Sequence, residues 1–152
     1  MATISLPADF RDFLQLLNSE RVEYLLVGGY AVALHGHVRT TADMDIWIAA
    51  TSENAARSIE ALAKFGFSRD ALKGLELDKP RQVVRMGVPP MQIDVITSVT
   101  GCDFAACFAR RMTMTQDGVQ ISLIELGDLL ANKQASGRLK DLADVAALTQ
   151  QE

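Results

Sequence analysis

The run Tyr24-Leu25-Leu26-Val27-Gly28-Gly29-Tyr30-Ala31-Val32-Ala33-Leu34-His35-Gly36, with Asp43-Met44-Asp45-Ile46-Trp47-Ile48 after it, decides the fold. Tyr24 to Val27 is a short apolar segment of strand type, and the paired glycines end it. Tyr30 to Leu34 reads as a short helix closed by Gly36, because glycine readily takes the left-handed conformation just past a helix end. Gly28 and Gly29 therefore lie at a strand-to-helix turn. Such a turn lets backbone N–H groups approach phosphate oxygens at the positive end of a helix, although a plain tight turn uses the same residues.

In a strand the side chains alternate, so Asp43, Asp45 and Trp47 share one face while Met44, Ile46 and Ile48 share the other. Residues two apart lie roughly 7 Å from each other, close enough for two carboxylates to converge on one or two hard cations. Carboxylates held that near repel. Either they line a solvated strand face, or a divalent ion such as Mg²⁺, which shares oxygen ligands with substrate phosphates, offsets the repulsion. Asp94 poses the same question, since it stands between Ile93 and Val95 in an apolar strand where an unpaired charge is costly. Its partner is a neighbouring arginine or a cation. Were the two strands adjacent, three carboxylates could hold two metal ions, the arrangement that clamps the attacking and leaving oxygens of a phosphoryl-type transfer.

Working outward, Phe10, Phe13, Leu14 and Leu17 recur at helical spacing behind Pro7 and predict a first amphipathic helix. Ser52 can cap a third helix with Ala56, Ile59, Leu62 and Ala63 on its apolar face, stopped by Gly66. Strands are predicted over 82–86 and 91–97, joined through Gly87 and Pro89-Pro90 by a tight hairpin or a wider loop. A helix around Phe104 to Ala109 precedes the hairpin signal Asp117-Gly118, flanked by strands at 112–115 and 120–123. Two helices, about 125–135 and 139–148, complete a mixed α/β (α+β) sheet with helices packed mainly on one side and a short helical C-terminal element. No repeat, linker or low-complexity stretch interrupts the chain.

The 152 residues suit one domain, with 49% hydrophobic and 22% charged residues, far from a disordered composition. No apolar run approaches the roughly 20 residues needed to span a bilayer, and no basic start precedes an apolar segment, so a cytoplasmic protein without membrane contact is expected. Cys102 and Cys107 are expected as buried reduced thiols. The net charge of −4 argues against a protein that coats nucleic acid, while Arg81, Arg85, Arg110, Arg111, Lys133, Arg138 and Lys140 could still form a local basic patch. His35 and His37, two apart across a glycine, do not face one metal site reliably.

The order of strand, Gly-Gly, short helix, thirteen residues from Gly29 to Asp43, Asp-x-Asp on a strand and a later lone strand aspartate resembles the minimal nucleotidyltransferases of the DNA polymerase β superfamily. The longer run Val27 to Gly36, then Arg39-Thr40-Thr41 and Asp43 to Ile46, is most similar to the AbiEii-type enzymes of bacterial abortive-infection and toxin–antitoxin systems. Their C-terminal signature has a counterpart in Lys133, Arg138, Asp141 and Asp144, so the resemblance covers about residues 22–148, with the transferase core over about 22–123. It implies that Asp43 and Asp45 bind two Mg²⁺ (or Mn²⁺) ions and the nucleotide phosphates. Asp94 would complete the second ion's site and help activate the incoming hydroxyl.

Gly28, Gly29, Arg39, Thr41 and Lys133 would then form the phosphate site, Lys133 as a point charge suited to a triphosphate. Arg39 could act likewise or pair with Asp45. Asp141 and Asp144, three apart on a helix, fit a solvated face or a salt bridge to Arg138 better than catalysis. Gly29 departs from the family pattern, in which many members carry serine there. The implied reaction moves a nucleoside monophosphate from an NTP to a hydroxyl of a tRNA, a partner protein or a small molecule. The alternative is a non-catalytic partner or antitoxin subunit of a toxin–antitoxin pair that uses the same scaffold for protein binding.

Overall fold

The computed structural model describes residues 4–41 and 43–150. Helix α1 (Ala8–Ser19) starts behind Pro7 and buries Phe10, Phe13, Leu14 and Leu17, the predicted stripe. Strand β1 (Tyr24–Val27) is buried throughout and passes directly into α2 (Gly28–Leu34). Strand β2 (Asp43–Ile48) follows, then α3 (Ser52–Phe65) and the short α4 (Arg69–Leu72). The chain continues through β3 (Val83–Met86), β4 (Gln92–Ile96), α5 (Phe104–Ala109), β5 (Met112–Gln116), β6 (Val119–Leu123), α6 (Leu126–Ser136) and α7 (Leu139–Thr149).

The strands form one mixed sheet in the order β3-β4-β2-β1-β6-β5. Central β2 runs antiparallel to β1 and parallel to β4, which makes the Asp43–Asp45 strand and the Asp94 strand immediate neighbours. Strand β6 pairs parallel with β1, and the two outer hairpins, β3–β4 and β5–β6, are antiparallel. Asp117 and Gly118 both take positive φ at the tip of the second hairpin, as an Asp-Gly turn requires. Five residues, 87–91, separate β3 from β4, so the proline pair sits in a wider loop.

Met44, Ile46 and Ile48 are fully buried on one face of β2, and on the Asp43–Asp45 face Trp47 packs edge-on against Phe104 of α5 at 5.1 Å. Helices α1 and α3 meet through Phe13 and Phe65 at a ring distance of 5.1 Å. The face of α3 differs from the expected one. Leu62 is buried as expected and Ile59 and Ala63 pack partly buried on the core, but Ala56 is exposed, and Asn54, Ala55, Ser58 and Ala61 are buried in addition. The cap also moves by one residue, since the Thr51 hydroxyl, not Ser52, accepts the Asn54 N–H.

Asn54 explains the shift. Its Oδ1 accepts the Glu23 N–H at 2.8 Å, and its amide donates to the carbonyls of Glu23 and Ala49. One buried side chain thus satisfies backbone groups flanking both β1 and β2, which would otherwise be costly to bury. Cys107 is buried, Cys102 partly so, and both are free thiols. Among the described residues no helix is long and apolar enough to cross a membrane.

Candidate active site

At the end of β1 the backbone is extended at Val27 and turns at Gly28, whose φ is +69°. A Cβ on Gly28 would collide with the Asp45 Oδ2, and one on Gly29 would overlap the Thr41 hydroxyl and stand 2.9 Å from Thr41 Cβ. Space thus requires both glycines, and conformation requires Gly28 as well. They let β1 and β2 side chains close over the turn. The Thr41 side chain fills the volume that a serine at position 29 would need, and its hydroxyl donates to the Asp43 carbonyl at 3.3 Å. Gly28→Ala is therefore expected to lower stability by about 1–3 kcal/mol through the strained φ alone. It also displaces the Asp45 carboxylate. Chemical denaturation reads the first effect, and an unchanged midpoint would show that the turn relaxes freely.

Strand register builds a single row across the sheet. Val27 faces Asp45, Asp45 faces Asp94, and Asp94 faces Arg85. Asp94 finds the arginine partner that the sequence left open, with Arg85 Nε at 3.1 Å from Oδ1 and Nη2 at 3.4 Å from Oδ2. The Gln92 amide donates to both oxygens as well, at 3.1 and 3.2 Å. Asp43 and Asp45 are unlike it. Asp43 Oδ1 is buried without a hydrogen-bond partner among the described residues. Burial first, then the charges of Asp94 and Asp43, push the Asp45 carboxyl up from 3.8 to about 6, against a smaller pull from Lys133 and Lys140.

An orphaned buried oxygen beside a second carboxylate that resists ionisation is the chemistry of a site that fits a hard cation. Oxygen donors from Asp43 and Asp45 would leave most of the shell to water and phosphate, as Mg²⁺ prefers. Among the described residues, however, no three His, Cys, Asp or Glu side chains are gathered into a metal cage.

A cleft of about 370 Å³ opens beside this row, and Gly28, Gly29, Arg39, Thr41, Asp43 and Asp45 line it together with Lys133 of α6. Asp94 lies one strand further on, outside the lining. Arg39 pairs with Asp144, not Asp45, through a two-pronged contact at 2.9 and 3.0 Å. Lys133 is 4% exposed, with its ammonium 2.9 Å from Asp141 and 3.2 Å from Asp144. Those two aspartates are buried, so the solvated-face reading is corrected and the salt bridge to Arg138, at 2.7 Å, is present.

Burial works against the charge on Asp141, yet hydrogen bonds from Ser136, Lys133 and Arg138 outweigh it and hold the carboxyl well below its usual range. Asp144 is likewise lowered, by Arg39 and Lys133 against burial. His35 Nε2 is engaged with the Ile124 carbonyl at 2.8 Å, a structural bond. Lys140 also lines the cleft, and sequence reasoning gave it no role there. It is exposed and has no ion-pair or hydrogen-bond partner among the described residues. Its position in the first turn of α7, directly before the buried Asp141, was the available signal.

The family model for nucleotidyltransferases of unknown function (DUF6036) matches residues 5–150. The chain belongs to this nucleotidyltransferase family. No curated protein matches its sequence. Among solved structures it is similar to a candidate nucleotidyltransferase of Thermotoga maritima, with a TM-score of 0.56 at 14% identity over 93% of this chain and 88% of that one. It is also similar to an antigenic nucleotidyltransferase-like protein of Paracoccidioides brasiliensis, with a TM-score of 0.54 at 18% identity over 91% of this chain and 73% of the other. At these identities the structures share the fold, and family and fold together support a general nucleotidyltransferase function.

Proposed function

We propose that this nucleotidyltransferase transfers a nucleoside monophosphate from an NTP to a hydroxyl acceptor with the help of Mg²⁺ or Mn²⁺. The observation that carries the reading is the juxtaposition of two unsatisfied carboxylates, Asp43 and Asp45, with a glycine turn and a cationic cleft wall. The acceptor oxygen forms a bond to the α-phosphorus as the bond from that phosphorus to the bridging oxygen breaks. Pyrophosphate leaves with the electron pair, and the hydroxyl proton passes to water. A divalent ion on Asp43 and Asp45 would supply charge stabilisation at the reacting phosphate.

The protein's own residues do the rest. Gly28 keeps the approach to Asp45 open, and Gly29 leaves room for Thr41 beside it. Lys140 and the exposed Arg138 offer charge to the β- and γ-phosphates, while Lys133 and Arg39 are held by buried aspartates as fixed parts of the wall. The acceptor classes remain a tRNA 3′ end, a protein hydroxyl or a small molecule, and the AbiEii-like sequence pattern supports a place in a toxin–antitoxin or abortive-infection pair.

The test incubates the protein with each α-labelled NTP, Mg²⁺ and either total tRNA or cell lysate. Label is expected on one acceptor class, with pyrophosphate released in step. Asp43→Ala, which removes the orphaned carboxylate, is expected to abolish transfer. Label moving equally well with that variant, or no pyrophosphate with any acceptor, would overturn the enzymatic reading in favour of a non-catalytic binding subunit.

A further inference from the structure

We propose that Arg85 is the second cation of the transfer site: its guanidinium, held on Asp94, stands in for a second metal ion, so a single ion on Asp43 and Asp45 serves each chain. The inference rests on the transferase reading and deepens it. Residues directly paired in register share a sheet face, so Asp45, Asp94 and Arg85 project from the same side of adjacent strands. The row of like charges therefore ends in a fixed positive one.

The accounting of lone pairs separates the three carboxylates. An ionised carboxylate has about four acceptor sites. At Asp94 each oxygen already takes two donors, Oδ1 from Arg85 Nε and Gln92 Nε2, Oδ2 from Arg85 Nη2 and the same amide. Nothing is left for a metal ion, or for a proton from an incoming hydroxyl, while Arg85 is in place. Asp43 Oδ1, by contrast, has no partner, and the Asp45 carboxylate accepts no hydrogen bond among the described residues. The demand for a mobile cation is confined to β2.

Arg85 is suited to the task because a guanidinium in a protein does not give up its proton. It therefore contributes charge at any working pH. Its Nη1 makes no hydrogen bond among the described residues, and 63% of the side chain is exposed beside the row. A free donor at the end of the Asp45–Asp94 row can stabilise charge that develops in a phosphoryl-type transfer, as arginine does in other phosphoryl-transfer sites.

The experiment counts protein-bound Mn²⁺ by equilibrium dialysis and electron paramagnetic resonance, with each of the four α,β-methylene NTPs present to avoid turnover. The wild-type protein and Arg85→Lys are expected to bind one ion per chain. Arg85→Met, which frees the Asp94 oxygens, is expected to bind two. Arg85→Lys should keep the wild-type melting temperature, whereas Arg85→Met leaves the buried Asp94 with the Gln92 amide alone and should melt lower without metal and recover when Mn²⁺ is added, and Arg85→Gln provides a second uncharged form. Two ions on the wild-type protein, falling to one in Asp94→Asn, would overturn the proposal, as would one ion on both wild type and Arg85→Met. No ion on the wild type with any nucleotide, together with no label transfer, would instead overturn the transferase reading beneath it.

Discussion

Asp45→Asn is expected to make the metal-free protein more stable at pH 7.5 while removing nearly all transfer activity. The Asp45 carboxyl is pushed up to about 6 by burial and by Asp94 and Asp43, so above that pH the folded protein holds a charge that its surroundings disfavour. A carboxyl raised in the folded state binds its proton more tightly there than in the unfolded chain. Its contribution to stability is therefore most favourable below the unfolded value of 3.8 and is lost as the pH rises through about 6. Replacing it by the neutral amide should recover about 1–3 kcal/mol at pH 7.5 and nothing at pH 4.

For a chain of this size that is an increase in Tm of about 2–12 °C. Activity should fall about 100- to 1000-fold or more, the range seen when one preorganised electrostatic group is removed. Mg²⁺ should raise the Tm of the wild-type protein by mass action and leave the variant nearly unchanged. Thermal melts at pH 4 and 7.5, with and without Mg²⁺, read all of this. A variant less stable than wild type at pH 7.5 would show that the Asp45 carboxylate is held by favourable contacts and is no unsatisfied ligand.

The same trade explains which features were legible beforehand. Gly28-Gly29 and Asp43-x-Asp45 break local rules in a way that sequence alone exposes, since neither a helix start nor an apolar strand gains stability from them. The alternation in β2 fixed the face of the two aspartates, and the parallel pairing of β2 with β4 brings Asp94 beside Asp45. What decides Asp94's partner was not visible. Arg85 lies on another strand, and only the register of the β3–β4 hairpin sets the two opposite each other.

Buried polar groups were the other blind spot. Asn54 and Ser58 lie outside the apolar face expected for α3, yet Asn54 closes backbone hydrogen bonds at Glu23 and Ala49, and the Ser58 hydroxyl donates to the Asn54 carbonyl at 2.8 Å. Hydrophobic periodicity carries no record of such bonds, because their benefit comes from a tertiary partner. The short α4, capped by the Ser68 hydroxyl on the Ala71 N–H, escaped for a related reason: four residues are too few to show a period. Asp141 and Asp144 followed the same logic. Three apart on a helix they read as a solvated face or a salt bridge to Arg138; that local bridge is present, and only the fold supplies Lys133 and Arg39.

Lys133→Met is expected to lower stability by about 3 kcal/mol, because it removes the cation shared by two buried aspartates and leaves their charge partly uncompensated. Asp141 and Asp144 are 0% and 2% exposed, so water cannot take over. The loss is held near the lower end of the range for breaking a buried pair, since Arg138 still reaches Asp141 and Arg39 still reaches Asp144. In this size class the Tm should fall by about 6–12 °C. Lys140→Ala is the informative contrast. That lysine lines the same cleft with no partner among the described residues, so its loss should leave the Tm in place and raise the KM for NTP. If Lys133→Met melted like the wild type and raised KM alone, Lys133 would be a phosphate ligand. The wall formed by α6, α7 and Arg39 would then owe its position to something other than this ion-pair network.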